Sequence, residues 1–301
     1  MVGLTTKIGG KRTMKLGLSS YSLFGALNSK EMTILDAIEW VAEQGAEHIE
    51  IVPNLGFNFD EDPTLVDQVR EKAAEVGIEL SNYAIGANFI TDSEEAYQQE
   101  IERVKKEVDR ANQLGIKFMR HDVASRPIPE TTIQQFEADL PKLVEACQEI
   151  ADYANEYGIV TSVENHGYYI QASDRVQSLV NQVNRPNFKT TLDIGNFLCV
   201  DENSVVATKN NIAYASVVHF KDFFYRPAHV HPGEGWMHTA SGNYLRGTIV
   251  GHGDIDMKEV VKVVKSSGFD GYISIEFEGM EECKQASKIG MNNLRRLWEE
   301  A

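Results

Sequence analysis

The sequence predicts a single-domain α/β protein, a (β/α)8 or TIM barrel. A helix–strand unit recurs along the chain, the strands can be counted to eight, and each unit takes roughly 36 residues, the size such a barrel requires. In five of the units an amphipathic stretch ends at glycine and a short apolar run follows. This occurs at Gly45 (AEHIEIV), Gly77 (IELSNYA), Gly115 (IKFMRHD), Gly158 (IVTSVEN) and Gly268 (FDGYISIE). Glycine just past a helix end takes the left-handed conformation without a Cβ penalty. The runs are short and largely apolar without a clean alternation of polar residues, as expected of parallel strands buried on both faces.

Taken in order, KLGLSSY (15–21) is the first strand, and the runs after Gly45, Gly77, Gly115 and Gly158 are the second to fifth. The gap from Gly158 to Gly268 is about three units long and holds two more. The first is VQSLVNQV, a turn at Asn184-Arg185-Pro186-Asn187, then FKTTLDI as strand six. The second is a helical piece near Ser204 to Asn211, then AYASVVHFKD as strand seven; GYISIE completes the set. No Pro/Gly/Ser linker interrupts residues 14–301, which therefore read as one barrel behind a tail of residues 1–13. Residues 222–256, with HVHPGEGWMH inside, form a connection long enough to be functional or disordered. Trp40 and Trp298 fall in helical patterns and read as packing.

Composition narrows the function. The 301 residues are 42% hydrophobic and 25% charged, ordinary globular values that set aside disordered and low-complexity classes. No stretch approaches the roughly 20 apolar residues of a membrane span, and no apolar run follows the basic opening MVGLTTKIGGKRT, so a secretory signal is not expected. Three cysteines without CxxC spacing (Cys147, Cys199, Cys283) argue against a disulfide framework and fit a cytoplasmic protein. A net charge of −16 without a basic stripe argues against nucleic-acid or anionic-membrane partners, because neutralising phosphates supplies most of that affinity. A small, weakly charged ligand fits better. The glycine pairs at 233–235 and 251–253, and GGK at 9–11, lack nucleotide-binding spacing. The state of association, homo-oligomer included, is left open.

Barrel active sites lie at the carboxyl ends of the strands. Strand five ends in Glu164, strand six in Asp193, strand seven in His219 and strand eight in Glu276, each after an apolar run that would bury it. Any one could cap a helix or bond to backbone. Four on consecutive strands need a common partner, since desolvating an unpaired charge costs several kcal/mol. With Lys221 the one basic residue at these ends, a single divalent cation best neutralises them; the hard, oxygen-rich set suits manganese, magnesium, zinc, iron or cobalt. Asn196 and Lys221 are expected to hold substrate hydroxyls, and Lys221 could instead pair with a carboxylate. His166 shares a face with Glu164 and could orient it or touch substrate. His121 and Asp122 end strand four and are expected to line the pocket, with Arg120 pairing to Asp122. Trp236 could stack on a sugar as part of a lid. The loop histidines His229, His231, His238 and His252 are spaced too irregularly to argue for a second metal site.

The segments VENHG, LDIGN, VVHFKD, GHGDID (251–256) and GYISIEFEG resemble those of the xylose isomerase-like barrels, which include sugar isomerases and epimerases, inosose dehydratases and endonuclease IV. The resemblance runs from Met14 over nearly the whole chain. It implies one metal held by Glu164, Asp193, His219 and Glu276, with Glu164 and Glu276 also carrying protons, as in the ketose epimerases. Asn196 stands where endonuclease IV and tagatose-type epimerases have a histidine, and the aspartate-x-histidine pair of endonuclease IV is not evident, which argues against DNA repair. The expectation is a metal-dependent isomerase or epimerase of a keto-sugar or related polyol, acting by proton abstraction α to a carbonyl through an enediolate. An inosose-type dehydratase and a catalytically silent sugar-binding barrel are the alternatives.

Overall fold

The computed structural model describes residues 14–301; the tail and its GGK lie outside the described residues. Along the chain the strands are β1 (Lys15–Ser19), β2 (His48–Ile51), β3 (Glu79–Ile85), β4 (Phe118–His121), β5 (Val160–Glu164), β6 (Phe188–Asp193), β7 (Ala215–Phe220), β8 (Asp222–Arg226), β9 (Met237–His238), β10 (Tyr244–Thr248) and β11 (Tyr272–Ile275). The helices are α1 (Phe24–Asn28), α2 (Ile34–Glu43), α3 (Leu65–Val76), α4 (Glu94–Gln113), α5 (Ile133–Asn155), α6 (Ser173–Val183), α7 (Ser204–Asn211), α8 (Met257–Ser266) and α9 (Cys283–Glu300). Eight strands close a parallel barrel in the order β1-β11-β7-β6-β5-β4-β3-β2.

Local rules account for the elements. In α2 the Thr33 hydroxyl accepts the Asp36 N–H while the Asp36 carboxylate accepts the Thr33 N–H, a reciprocal cap. Its buried Ile34, Ala37, Ile38 and Val41 follow the helical period and face the barrel. Burying a large aliphatic side chain such as Ile38 contributes roughly 1.5–3 kcal/mol. Gly77 ends α3 with φ of 75°, and Gly45, Gly115, Gly158 and Gly268 are also left-handed. The core is continuous between the barrel and its helices.

The long connection between strands seven and eight of the barrel is ordered: β8, β10 and β9 pair antiparallel into a small sheet beside the mouth. Asp222, just past β7, anchors it. One carboxylate oxygen accepts the Phe223 N–H, and the other accepts those of Gly251 and Gly253, all at 2.9 Å. The glycines of GHGDID are thus part of a backbone clamp. Tyr168 adds a tie, its hydroxyl donating to the His238 carbonyl at 2.7 Å.

Candidate active site at the barrel mouth

Register brings the strand ends together. Asp193 on β6 lies opposite His219 on β7, His219 lies opposite Ser274 on β11, and Glu164 on β5 lies opposite Thr191 on β6. Glu276 directly follows β11. One ligand atom from each of Glu164, Asp193, His219 and Glu276 lies within 4.8 Å of the others, and all four residues are buried. Among the described residues no other group of three or more His, Cys, Asp and Glu meets this description.

Each member is fixed by neighbours that leave an atom facing the cluster. Asp193 Oδ1 accepts the N–H groups of Gly195 (2.7 Å) and Asn196 (3.0 Å), while Oδ2 has no hydrogen-bond partner. The Asn165 amide brackets the Asp193 backbone, donating to its carbonyl at 2.7 Å and accepting its N–H at 2.9 Å. His219 Nε2 lies 2.8 Å from Glu50 Oε2, which also accepts from Asn82 Nδ2 at 2.7 Å. The opposite ring nitrogen, Nδ1, is buried and unpartnered, 3.8 Å from Glu164 Oε1 and 3.7 Å from Glu276 Oε1. Glu164 Oε1 accepts from Asn196 Nδ2 at 3.1 Å, and Oε2 has Arg120 Nε at 2.9 Å, too poorly aligned for a hydrogen bond. Two buried atoms of the quartet have no hydrogen bond, Asp193 Oδ2 and His219 Nδ1, the latter facing the Glu164 and Glu276 carboxylates. Such orphans call for a ligand, and hard oxygens with one imidazole suit a divalent cation. The residues present fit that group.

The electrostatics are those of mutually compensating charges. Burial pushes the Glu164 carboxyl up, but Arg120 and His219 outweigh it and hold it at about 2. Burial dominates at Asp193 and, with Glu276 and Glu164 opposing Lys221, raises it to about 6. His219 resists desolvation and is held well above its ordinary value by Glu50 and Glu276. A cation at the quartet would compete with that proton, which is why Glu50 matters: as acceptor to Nε2–H it selects the tautomer with Nδ1 free. Glu50→Gln is expected to weaken manganese(II) affinity about 10-fold to 100-fold, read by calorimetric titration. Unchanged affinity would mean that Glu50 merely fills space.

The flanking residues divide. Lys221 Nζ contacts Glu276 (2.7 Å), Asp193 and Glu278 (3.3 Å each). Asn196 spans Glu164 and the Lys221 ammonium, which donates to its Oδ1 at 3.2 Å. His166, half exposed, borders the cavity with Nδ1 3.5 Å from Asp122 and so pairs with that residue rather than orienting Glu164. Two expectations are corrected. His121 does not line the pocket: strand alternation sends Arg120 and Asp122 into the mouth and leaves the His121 ring buried between Phe89 and Phe188, where desolvation lowers its pKa to about 4. Trp236 does not border the cavity either; its ring lies beneath the guanidinium groups of Arg226 and Arg246, at 5.7 and 5.2 Å, beside the small sheet.

The cavity above the quartet measures about 290 Å³ and extends across the ends of β2 and β3 toward α4, bordered there by Asn54, Phe59, Tyr83, Arg103 and Arg110. Glu50, Asn82 and this far wall are absent from the sequence reading. Glu50 had a signal, since it follows the apolar HIEIV run at a strand end just as Glu164 follows its own.

A family model described as the xylose isomerase-like TIM barrel matches residues 38–297. The chain belongs to the xylose isomerase-like TIM barrel family. Barrels of similar fold include the probable 3-DHS dehydratase AsbF from Bacillus anthracis (TM-score 0.72, 17% identity, 94% of this chain and 99% of that one). D-psicose 3-epimerase from Clostridium cellulolyticum H10, solved with D-tagatose, superposes with a TM-score of 0.70 at 17% identity, covering 95% and 99% of the two chains. A xylose isomerase-like TIM barrel protein from Mycobacterium smegmatis in complex with magnesium gives 0.68 at 16% identity, covering 97% and 100%. At these identities the likeness is one of fold. The uncharacterized protein MJ1311 of Methanocaldococcus jannaschii is 24% identical over 166 residues, 54% of this chain, and the match spans about half (52%) of that relative's length. No helix among the described residues of this xylose isomerase-like barrel is long and apolar enough to cross a membrane.

Proposed function

We propose that the chain is a divalent-metal-dependent isomerase or epimerase that moves the proton α to the carbonyl of a keto-sugar or related polyol. The observation that carries the reading is that Glu164 and Glu276, at the ends of strands not adjacent in the barrel, both belong to the quartet and both border the same cavity. Glu164, Asp193, His219 and Glu276 would hold the cation, whose chemistry when bound is Lewis-acid stabilisation of an enediolate. One glutamate accepts the α-proton and the other returns a proton. Return to the opposite face of the same carbon is epimerisation; return to the neighbouring carbon is aldose–ketose isomerisation. Arg120 and Asn196 fix Glu164, so that base does not have to be oriented during the step. Lys221, bordering the cavity, is also placed to donate to a substrate hydroxyl. The D-psicose 3-epimerase and magnesium-bound relatives are compatible with this reading.

One observation favours a second outcome. His166, half exposed in the cavity and paired with Asp122, is placed to protonate a departing β-hydroxyl, which would make the reaction a dehydration. Elemental analysis of the purified protein, followed by incubation with ketoses and keto-glycosides in deuterated water, tests both. Stoichiometric cation and deuterium in recovered sugar are expected, and a new enone absorbance would identify elimination. A cation-loaded protein that introduces no deuterium and forms no enone across the panel would overturn the enzymatic reading in favour of a sugar-binding barrel.

A further inference from the structure

Lys221 has more partners than it can satisfy. Its side chain is 4% exposed, and its ammonium lies within ion-pair distance of Asp193 Oδ2, Glu276 Oε2 and Glu278 Oε2, with Asn196 Oδ1 as a fourth acceptor at 3.2 Å. The three N–H groups of the ammonium face the other three acceptors, and Asp193 Oδ2, which has no hydrogen bond, is held by charge alone. Two of the carboxylates belong to the quartet and one does not. Glu278, 41% exposed at the cavity rim, has its other oxygen, Oε1, held by the Tyr21 hydroxyl at 3.2 Å. A dication held by Asp193 and Glu276 would stand close to the ammonium, and like charges at such range in a buried site repel strongly.

We propose that Lys221 is a displaceable counter-ion of the quartet: its position against Asp193 and Glu276 alternates with one against Glu278 and Asn196, and a divalent cation selects the second. Glu278 and Tyr21 act as the receiving station. The displaced ammonium stays paired and protonated and remains at the cavity wall, where it can meet a substrate hydroxyl. Cation loading thereby prepares the substrate site. The inference rests on the proposed reading only in taking the quartet as the cation site.

The two partners should shift cation affinity in opposite directions. Lys221→Met removes the competing charge and is expected to bind manganese(II) roughly tenfold more tightly. Glu278→Gln removes the receiving carboxylate and should weaken binding about threefold. In the double variant the Glu278 effect should vanish, because it acts through Lys221. The measurement is calorimetric titration of manganese(II) alone into the full chain, with thermal melts confirming folding; Lys221→Gln, which keeps a polar side chain, serves if the methionine variant does not fold. Affinity in the Lys221 variant equal to or weaker than wild type overturns the proposal. So does a Glu278→Gln effect of equal size in both backgrounds, since that is plain through-space attraction. Wild-type protein that takes up no manganese would remove the cation site itself, whereas normal wild-type uptake with an unresponsive Lys221 variant removes this inference alone.

Discussion

Glu164→Gln and Glu276→Gln are each expected to lower turnover about a thousandfold while leaving the melting transition near that of the wild type, since an amide fills the same space but cannot accept a proton. The fold should tolerate both. In Glu164→Gln, Arg120 keeps Asp122 at 3.3 Å, and the amide can still meet Asn196. In Glu276→Gln, Lys221 keeps Asp193 and Glu278. Deuterium wash-in read separately from net turnover sharpens the result: a variant lacking only the returning acid should still exchange the α-proton from one face, and a variant lacking the first base should not. Wild-type rates in either variant would exclude a mechanism with two carboxylates.

The second large effect is on stability. A Cβ built on Gly253 would stand 2.1 Å from Asp222 Oδ1 and 2.5 Å from the Phe223 carbonyl oxygen. Neither neighbour can retreat easily, because Asp222 is 1% exposed and accepts N–H bonds from Phe223, Gly251 and Gly253 itself. Gly253→Ala is therefore expected to cost about 2–4 kcal/mol in denaturant unfolding, through overpacking together with loss of buried hydrogen bonds. Gly77→Ala is the comparison: its Cβ would meet nothing within 4 Å, and the cost is limited to the positive φ. A loss at Gly253 no larger than that at Gly77 would show that the clamp accommodates the added methyl.

The count of eight strands and the strand-end positions of Glu164, Asp193, His219 and Glu276 are legible in the chain before it folds. Periodicity, left-handed glycines and apolar runs are local properties, written in neighbouring residues. Register and closure decided the rest. A strand alternates its faces, so Arg120 and Asp122 reach the mouth while His121 between them packs outward, and the residue types alone do not say which parity the barrel selects. Glu50 meets His219 across 169 residues of sequence, a contact that exists only once the ring of strands is complete. The segment 222–256 becomes a sheet because the Asp222 carboxylate collects backbone donors from both of its ends. The pairing of Lys221 and Arg120 with the acidic cluster is likewise tertiary: these charges are compensated by groups brought close in space from different strands, and the strength of that compensation depends on burial that no short stretch of sequence specifies.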